Sequence, residues 1–407
     1  MTTRLVNDPV LGTRPRGRAP RAAALACVLG GLDIVGPLDR AGVRCAVAAG
    51  PRDPVRHSRH VHASIDRLDC WAEPEALVAR LVAWARVQAA RPVLFYPTDG
   101  DLLMVSRFRE PLGEVFDFLV PDAGLIESLV DKERFQDLAG RLGLPVPPSA
   151  VLPAGHGPAD LPAAISFPLV VKPVLHSAGG PFAPGGKVKA VRVDTPDALA
   201  EVLRLVAAGG GFSCVVQALV PGPESRIESY HAFVDEFGTT VAEFTGEKVR
   251  TYPPEYGHST AVTVGRRPDV LAAGREVLAA IGLRSGVAKV DFKRGPDGRL
   301  WLFEVNPRFN LWHNAGAAAG VNLPAEFFAR VTGRPRPREI PFRAGTSWCD
   351  VRNDRRAARA AGVPLASWLR FAVTSRRSSG DWNDPMPLLR SYVLPALARR
   401  FGRPPRA

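Results

Sequence analysis

Cysteine is scarce in this 407-residue chain, and its five copies (Cys27, Cys45, Cys70, Cys214 and Cys349) stand far apart with no C-x-x-C pair. That excludes a zinc ribbon, a redox dithiol and a disulfide framework, and points to a reducing, cytoplasmic setting. No apolar run reaches the roughly 18 residues that a spanning helix needs. No internal repeat is visible. No zinc-finger, bZIP or RNP pattern supports nucleic-acid binding. The turn after the first strand is Gly30-Gly31 rather than G-x-G-x-x-G, so a dinucleotide oxidoreductase is weakly supported. What remains is an ordinary globular composition, 46% hydrophobic and 23% charged, with length for two or three domains.

The charge is uneven. The chain carries a net +13, yet residues 332–407 hold sixteen arginines, no lysine and five acidic residues, a net +11. Such a flank suits weak contact with an anionic membrane surface; an arginine-for-lysine bias across the whole chain accounts for it equally. Near the other end, basic residues precede the apolar run Ala22–Gly36 in the manner of a signal peptide. Gly30, Gly31 and Asp33 interrupt that run, which reads instead as a buried strand, a turn and a helix.

Strand and helix patterns alternate from there: strands over 22–29, 44–49 and 92–96, helices over 32–40 and 77–88. The alternation predicts a parallel sheet with crossover helices. Helical spacing returns over 126–142. Strands are expected at 167–173, 188–193, 213–219 and 228–234, with a helix over 197–208. A hairpin joins 287–293 to 300–305 around Gly295–Gly298. Two helices, 365–373 and 388–401, close the chain, the second kinked at Pro395.

The hairpin carries the sharpest chemistry. In LFEVNPR (Leu302–Arg308), strand alternation puts Glu304 and Asn306 on one face and Phe303 and Val305 on the other, with Asp291 of VAKVDFK at the matching phase. Two carboxylates and an amide oxygen form a hard-oxygen site of the kind Mg²⁺ takes, its other ligands being water and phosphate. A solvated hairpin would show the same alternation. Lys172, at the end of the apolar strand FPLVVKP, needs an anionic partner if buried, and a phosphate would be one. The loop His176–Gly186, with four glycines, can bring backbone N–H groups close to phosphates. It is no Walker motif, because the first glycine is missing and Val188 stands where Ser or Thr belongs. Lys248 and Arg250, two apart on a strand, share a face suited to a phosphate or carboxylate; a solvated edge strand fits as well.

Taken in order, DKERF (Asp131–Phe135), GLPVP (Gly143–Pro147), VVKP, the glycine loop, VVQALVPGPES (Val215–Ser225), VDFK and FEVNPR resemble the ATP-grasp superfamily, and within it the carboxylate–amine ligases. The resemblance covers roughly residues 20 to 335. It implies an α/β chain: a Rossmann-like pre-ATP-grasp domain over 20–121, an ATP-grasp domain over 122–335 holding the nucleotide between two α+β lobes, and an Arg-rich helical extension over 336–407. By it, Lys132 and Lys172 contact ATP, Gln217, Ala218 and Leu219 meet the adenine, and Glu224 lies near the ribose. Ser177, Gly179 and Gly180 belong to a flap at 174–188. Asp291, Glu304 and Asn306 match ligands of Mg²⁺, with Mn²⁺ as a substitute. Arg308 steadies the transferring phosphoryl group, alongside Lys248 and Arg250, and Asp99 lies near a substrate pocket. Asp291 departs from the Glu that many members carry there.

The implied reaction joins a small-molecule carboxylate to an amine through an acyl phosphate. His231, His258 and His313 are candidates for taking the amine's proton. A kinase, an acyl transfer to a non-amine acceptor and a non-catalytic nucleotide-binding scaffold are the alternatives. The resemblance also allows a homodimer.

Overall fold

The computed structural model describes residues 24–174, 190–209, 211–377 and 383–400. The flap residues Ser177, Gly179 and Gly180 lie outside them, as does Phe401. Three sheets organise the described chain.

The first is parallel, with β1 (Ala26–Val28), β2 (Cys45–Ala49), β3 (Val61–Asp66) and β4 (Val93–Phe95) in the order β3-β2-β1-β4. β1, β2 and β4 are buried along their whole length, as strands between helical layers must be, which is why they read as unbroken apolar runs. β3 escapes sequence reading because it is an edge strand, VHASID, of which only Ile65 is buried.

Helical spacing over 126–142 predicts one helix; the structure has two, Ala123–Val130 and Lys132–Leu142. Asp131 divides them. Its extended backbone stops the first, and its carboxylate caps the second by accepting from the N–H groups of Glu133 and Arg134 at 2.9 and 3.0 Å.

The second sheet is antiparallel: β5 (Ser149–Leu152), β6 (Leu169–Pro173), β7 (Val191–Val193) and β8 (Cys214–Ala218), ordered β5-β8-β6-β7. The helix Pro196–Ala208 closes its core through Leu199, Val202 and Val206.

The third sheet has seven strands: β9 (Ile227–Val234), β10 (Thr240–Tyr252), β11 (His258–Gly265), β12 (Gly286–Arg294), β13 (Leu300–Asn306), β14 (Ser347–Cys349) and β15 (Arg376–Arg377), ordered β13-β12-β9-β10-β11-β14-β15. One face packs under the helix Pro268–Ala280 through Tyr230, Val290 and Leu302. The other shares a continuous core with the first sheet, where Phe95 meets Phe309 and Phe327 at ring distances of 4.9 and 5.3 Å.

The basic extension is therefore part of the fold, since it supplies β14 and β15 to the sheet edge. Its last expected helix is three segments, Met386–Leu388, a π-turn at Leu389–Val393 and Leu394–Arg400. Pro395 is the second residue of the last one, directly after the π-turn, so the helix is irregular where a proline interrupts its hydrogen bonds.

Candidate functional site

The second and third sheets face each other across a cleft of about 240 Å³. Its floor is the β12–β13 hairpin. Cross-strand register sets Asp291 opposite Glu304 and Lys289 opposite Asn306. Asp291 is 2% exposed. It accepts from the Ser229 hydroxyl and, at 2.5 Å, from Lys289 Nζ. Lys289 in turn lies 5.6 Å from the Trp312 ring centroid.

The strict alternation expected along β13 does not hold. Phe292 pairs with Leu302, so Phe303 is an extra residue beside the Asp291–Glu304 pair. A bulge of this kind resets the phase. Phe303 thereby joins Glu304 in lining the cleft, with Lys172 Nζ 5.3 Å from its ring centroid.

Lys132 and Lys172 both reach the cleft. Lys132 Nζ donates to the Pro173 carbonyl at 2.7 Å and Lys172 Nζ to Gln217 Oε1 at 2.8 Å. Burial lowers both ammonium pKa values against the pull of Glu304, that of Lys172 to about 8. The Pro173 carbonyl and the Gln217 amide are neutral oxygens, an arrangement that leaves room for an anion. Gln217, Ala218, Leu219, Glu224 and Lys248 line the same space, with apolar walls from Val170, Val215 and Ile227.

Arg250 does not join them. In the β10–β11 register Lys248 pairs with Val262 and Arg250 with Ala261, leaving Val249 as an inserted residue. The bulge puts Arg250 on the side of Val249, under the C-terminal extension. There its Nε and Nη2 donate to the two oxygens of Asp354, both at 2.7 Å, and Phe371 covers the guanidinium.

Arg308 closes the cleft toward the first sheet. It donates through Nε to Asp99 Oδ1 at 2.5 Å, through Nη2 to Asn306 Oδ1 at 3.2 Å and through Nη1 to the Pro97 carbonyl at 3.3 Å. Asp99 opens the helix Asp99–Arg107, which Thr98 and Asp101 cap reciprocally. Arg67 fixes Asp101 at 2.6 Å. Gly100 is required beside them, because a Cβ there would stand 2.6 Å from Cys70 Sγ.

Two of the candidate histidines are interior groups. His231 stacks on Phe244 at 4.5 Å and meets His313 at 5.9 Å, both with no exposure. Burial holds both imidazoles neutral, that of His313 at about 3. His258 stands exposed at the start of β11.

Among the described residues no group of three or more His, Cys, Asp or Glu could cage a metal. A divalent ion here would rest on Asp291, Glu304 and the Asn306 amide. The donor chemistry fits: hard oxygens, one carboxylate already carrying a cation, and open space for phosphate oxygens. Lys289, Ser229 and Lys293 were absent from the expected set. The first and last carry a readable signal, because VAKVDFK places Lys289 and Lys293 on the face of Asp291. Ser229 carries none, since only the β9–β12 register brings it to Asp291.

Two lobes clasping a lysine-lined cleft over a carboxylate hairpin make up the ATP-grasp fold. A solved N5-carboxyaminoimidazole synthetase from Staphylococcus aureus, complexed with ADP, superposes with a TM-score of 0.58 at 15% identity, covering 79% of this chain and 80% of that one. A D-aspartate ligase of Enterococcus faecium is 26% identical over 283 residues, 67% of this chain and 65% of the relative. A D-alanine–D-alanine ligase of Halorhodospira halophila is 31% identical over 222 residues, 50% of this chain and 66% of the relative. No protein-family model matches the chain. The chain has the ATP-grasp fold and is similar in sequence to these two ligases. It spans just under two thirds of the length of these two curated relatives.

Proposed function

We propose that this chain is an ATP-dependent carboxylate–amine ligase acting on small molecules. One observation carries the reading: Asp291 and Glu304 are register partners on the floor of a cleft that also holds Lys132, Lys172 and Lys248, with Arg308 at its end. The ligase names of its relatives support the reaction class.

The lysines at the cleft wall bind the phosphates of ATP, and the apolar slot takes the base. Asp291, Glu304 and Asn306 would hold a divalent ion, which would supply charge neutralisation at the transferring phosphoryl group. The substrate carboxylate, oriented by Arg308, attacks the γ-phosphorus; ADP leaves and an acyl phosphate forms. The amine then displaces inorganic phosphate, losing one proton, and an amide results. Positioned cations suffice for both steps, so no side-chain nucleophile is called for.

The test is incubation of the protein and Mg-ATP with pooled amino acids and carboxylated metabolites, read by mass spectrometry. ADP with a product lighter by one water than its two precursors is expected. A phosphorylated substrate instead would make the chain a kinase and overturn the reading.

A further inference from the structure

Seven arginines and two aspartates fall within residues 350–377. Both aspartates are engaged within the fold. Asp350 caps the helix Val351–Ala360, and Asp354, with no exposure, meets Arg250, Thr260 and Trp368. The outer face of that helix is left to Arg352, Arg356 and Arg359, all exposed, at spacings of four and three that put them on one side. Neither Arg356 nor Arg359 has an ion-pair partner among the described residues. An arginine-for-lysine bias selects which cation stands on a surface; it does not clear the carboxylates from beside it.

The next helix, Leu365–Thr374, holds no acidic residue and buries Trp368 and Ala372 in one cluster with Cys349 and Ala358. The Arg355 guanidinium lies 5.2 Å from the Trp368 ring centroid across the seam between the two helices. Beside the buried pair, Leu365, Leu369 and Val373 recur at every fourth residue and stand 51%, 46% and 54% exposed. Single exposed apolar side chains are ordinary, whereas an unbroken row over two turns of helix marks a contact surface. Arg370 flanks the row, exposed and likewise without an ion-pair partner among the described residues. A cationic row next to an aliphatic row complements the surface of an anionic bilayer, where phosphates meet guanidinium groups and acyl chains meet leucine. A nucleic acid would take the arginines and leave the leucines in water. Protein interfaces are enriched in aromatic residues, and the exposed row has none. We propose that the helices Val351–Ala360 and Leu365–Thr374 dock this protein on an anionic membrane surface. Leu365, Leu369 and Val373 enter the interface, and Arg356, Arg359 and Arg370 meet the headgroup phosphates.

The test is flotation of the full chain with two kinds of vesicle, phosphatidylcholine alone and equal parts phosphatidylcholine and phosphatidylglycerol. Wild type should float with the anionic vesicles and not with the neutral ones. Raising salt to about 1 M, where the Debye length is about 3 Å, should release it. Arg356→Gln, Arg359→Gln and Arg370→Gln together should weaken binding about a hundredfold. Leu365→Ser, Leu369→Ser and Val373→Ser together should weaken it about tenfold or more. Melting temperatures of both variants should match wild type, and the arginine variant alone serves if the serine variant does not fold. Failure of wild type to float with anionic vesicles overturns the proposal, as does unchanged binding by either folded variant. A concentration-dependent dimer that the serine variant abolishes would give the row to a second copy of the chain and overturn it too.

Discussion

Strand β10 carries two cations two residues apart that end in opposite situations. Arg250 meets Asp354, whose oxygens also accept from Thr260 Oγ1 at 3.1 Å and Trp368 Nε1 at 3.0 Å; the carboxylate is fully buried and fully used. Lys248, one bulge away, faces the cleft, where the buried donor Gln217 Nε2 has no partner among the described residues and burial lowers the Lys172 pKa to about 8. The contrast separates a clamp from a site. Where charge is buried and every lone pair is met, the cluster holds two segments together. Where charge is buried and donors are left over beside a cavity, the cluster awaits a ligand.

Substitutions can break that contrast. Glu304→Gln removes a cleft carboxylate, and ADP release should fall by about a thousandfold, with the melting temperature little changed. Asp354→Ala should do the reverse. It strands Arg250 in the interior, costing about 3 to 5 kcal/mol in chemical denaturation, with turnover per folded molecule kept. Replacing both partners with apolar side chains, Arg250→Met with Asp354→Leu, should recover much of that loss. Asp99→Asn takes the charge from the partner of Arg308; kcat should fall by about tenfold while KM for ATP stays put.

The smallest effect is a pH profile. In the proposed role Lys172 would bind phosphate only when protonated, so kcat/KM for ATP should decline above about pH 8, several-fold over one pH unit. Stability should move the other way. The folded lysine gives up its proton before the unfolded one does, so stability rises from about pH 8 toward the ordinary lysine range. Lys172→Met should flatten that rise in thermal denaturation.

Much of this was legible in the chain. Lys132, Lys172, Gln217, Asp291, Glu304, Asn306 and Arg308 were singled out from their motifs, and they converge on one cleft because each ends a strand, opens a helix or lies on the hairpin that borders it. The failures have physical causes. Arg250 and Phe303 follow a strict period of two on paper, and a bulge changes the period without any residue that announces it. Ser229 and Asp354 are 62 and 104 positions from their partners, and only folding supplies the pairing. β3 and the helix Val351–Ala360 were missed because their exposed faces are polar and their buried faces are short.

The two bulges also bear on how roles are carried from one relative to another. Each adds one residue to its strand, so a role read from strict alternation falls on the wrong face beyond it. Val249 and Phe303 are the inserted residues. A substitution at either leaves the phase as it is; deletion of Val249 would turn Arg250 toward the cleft and take its guanidinium from Asp354.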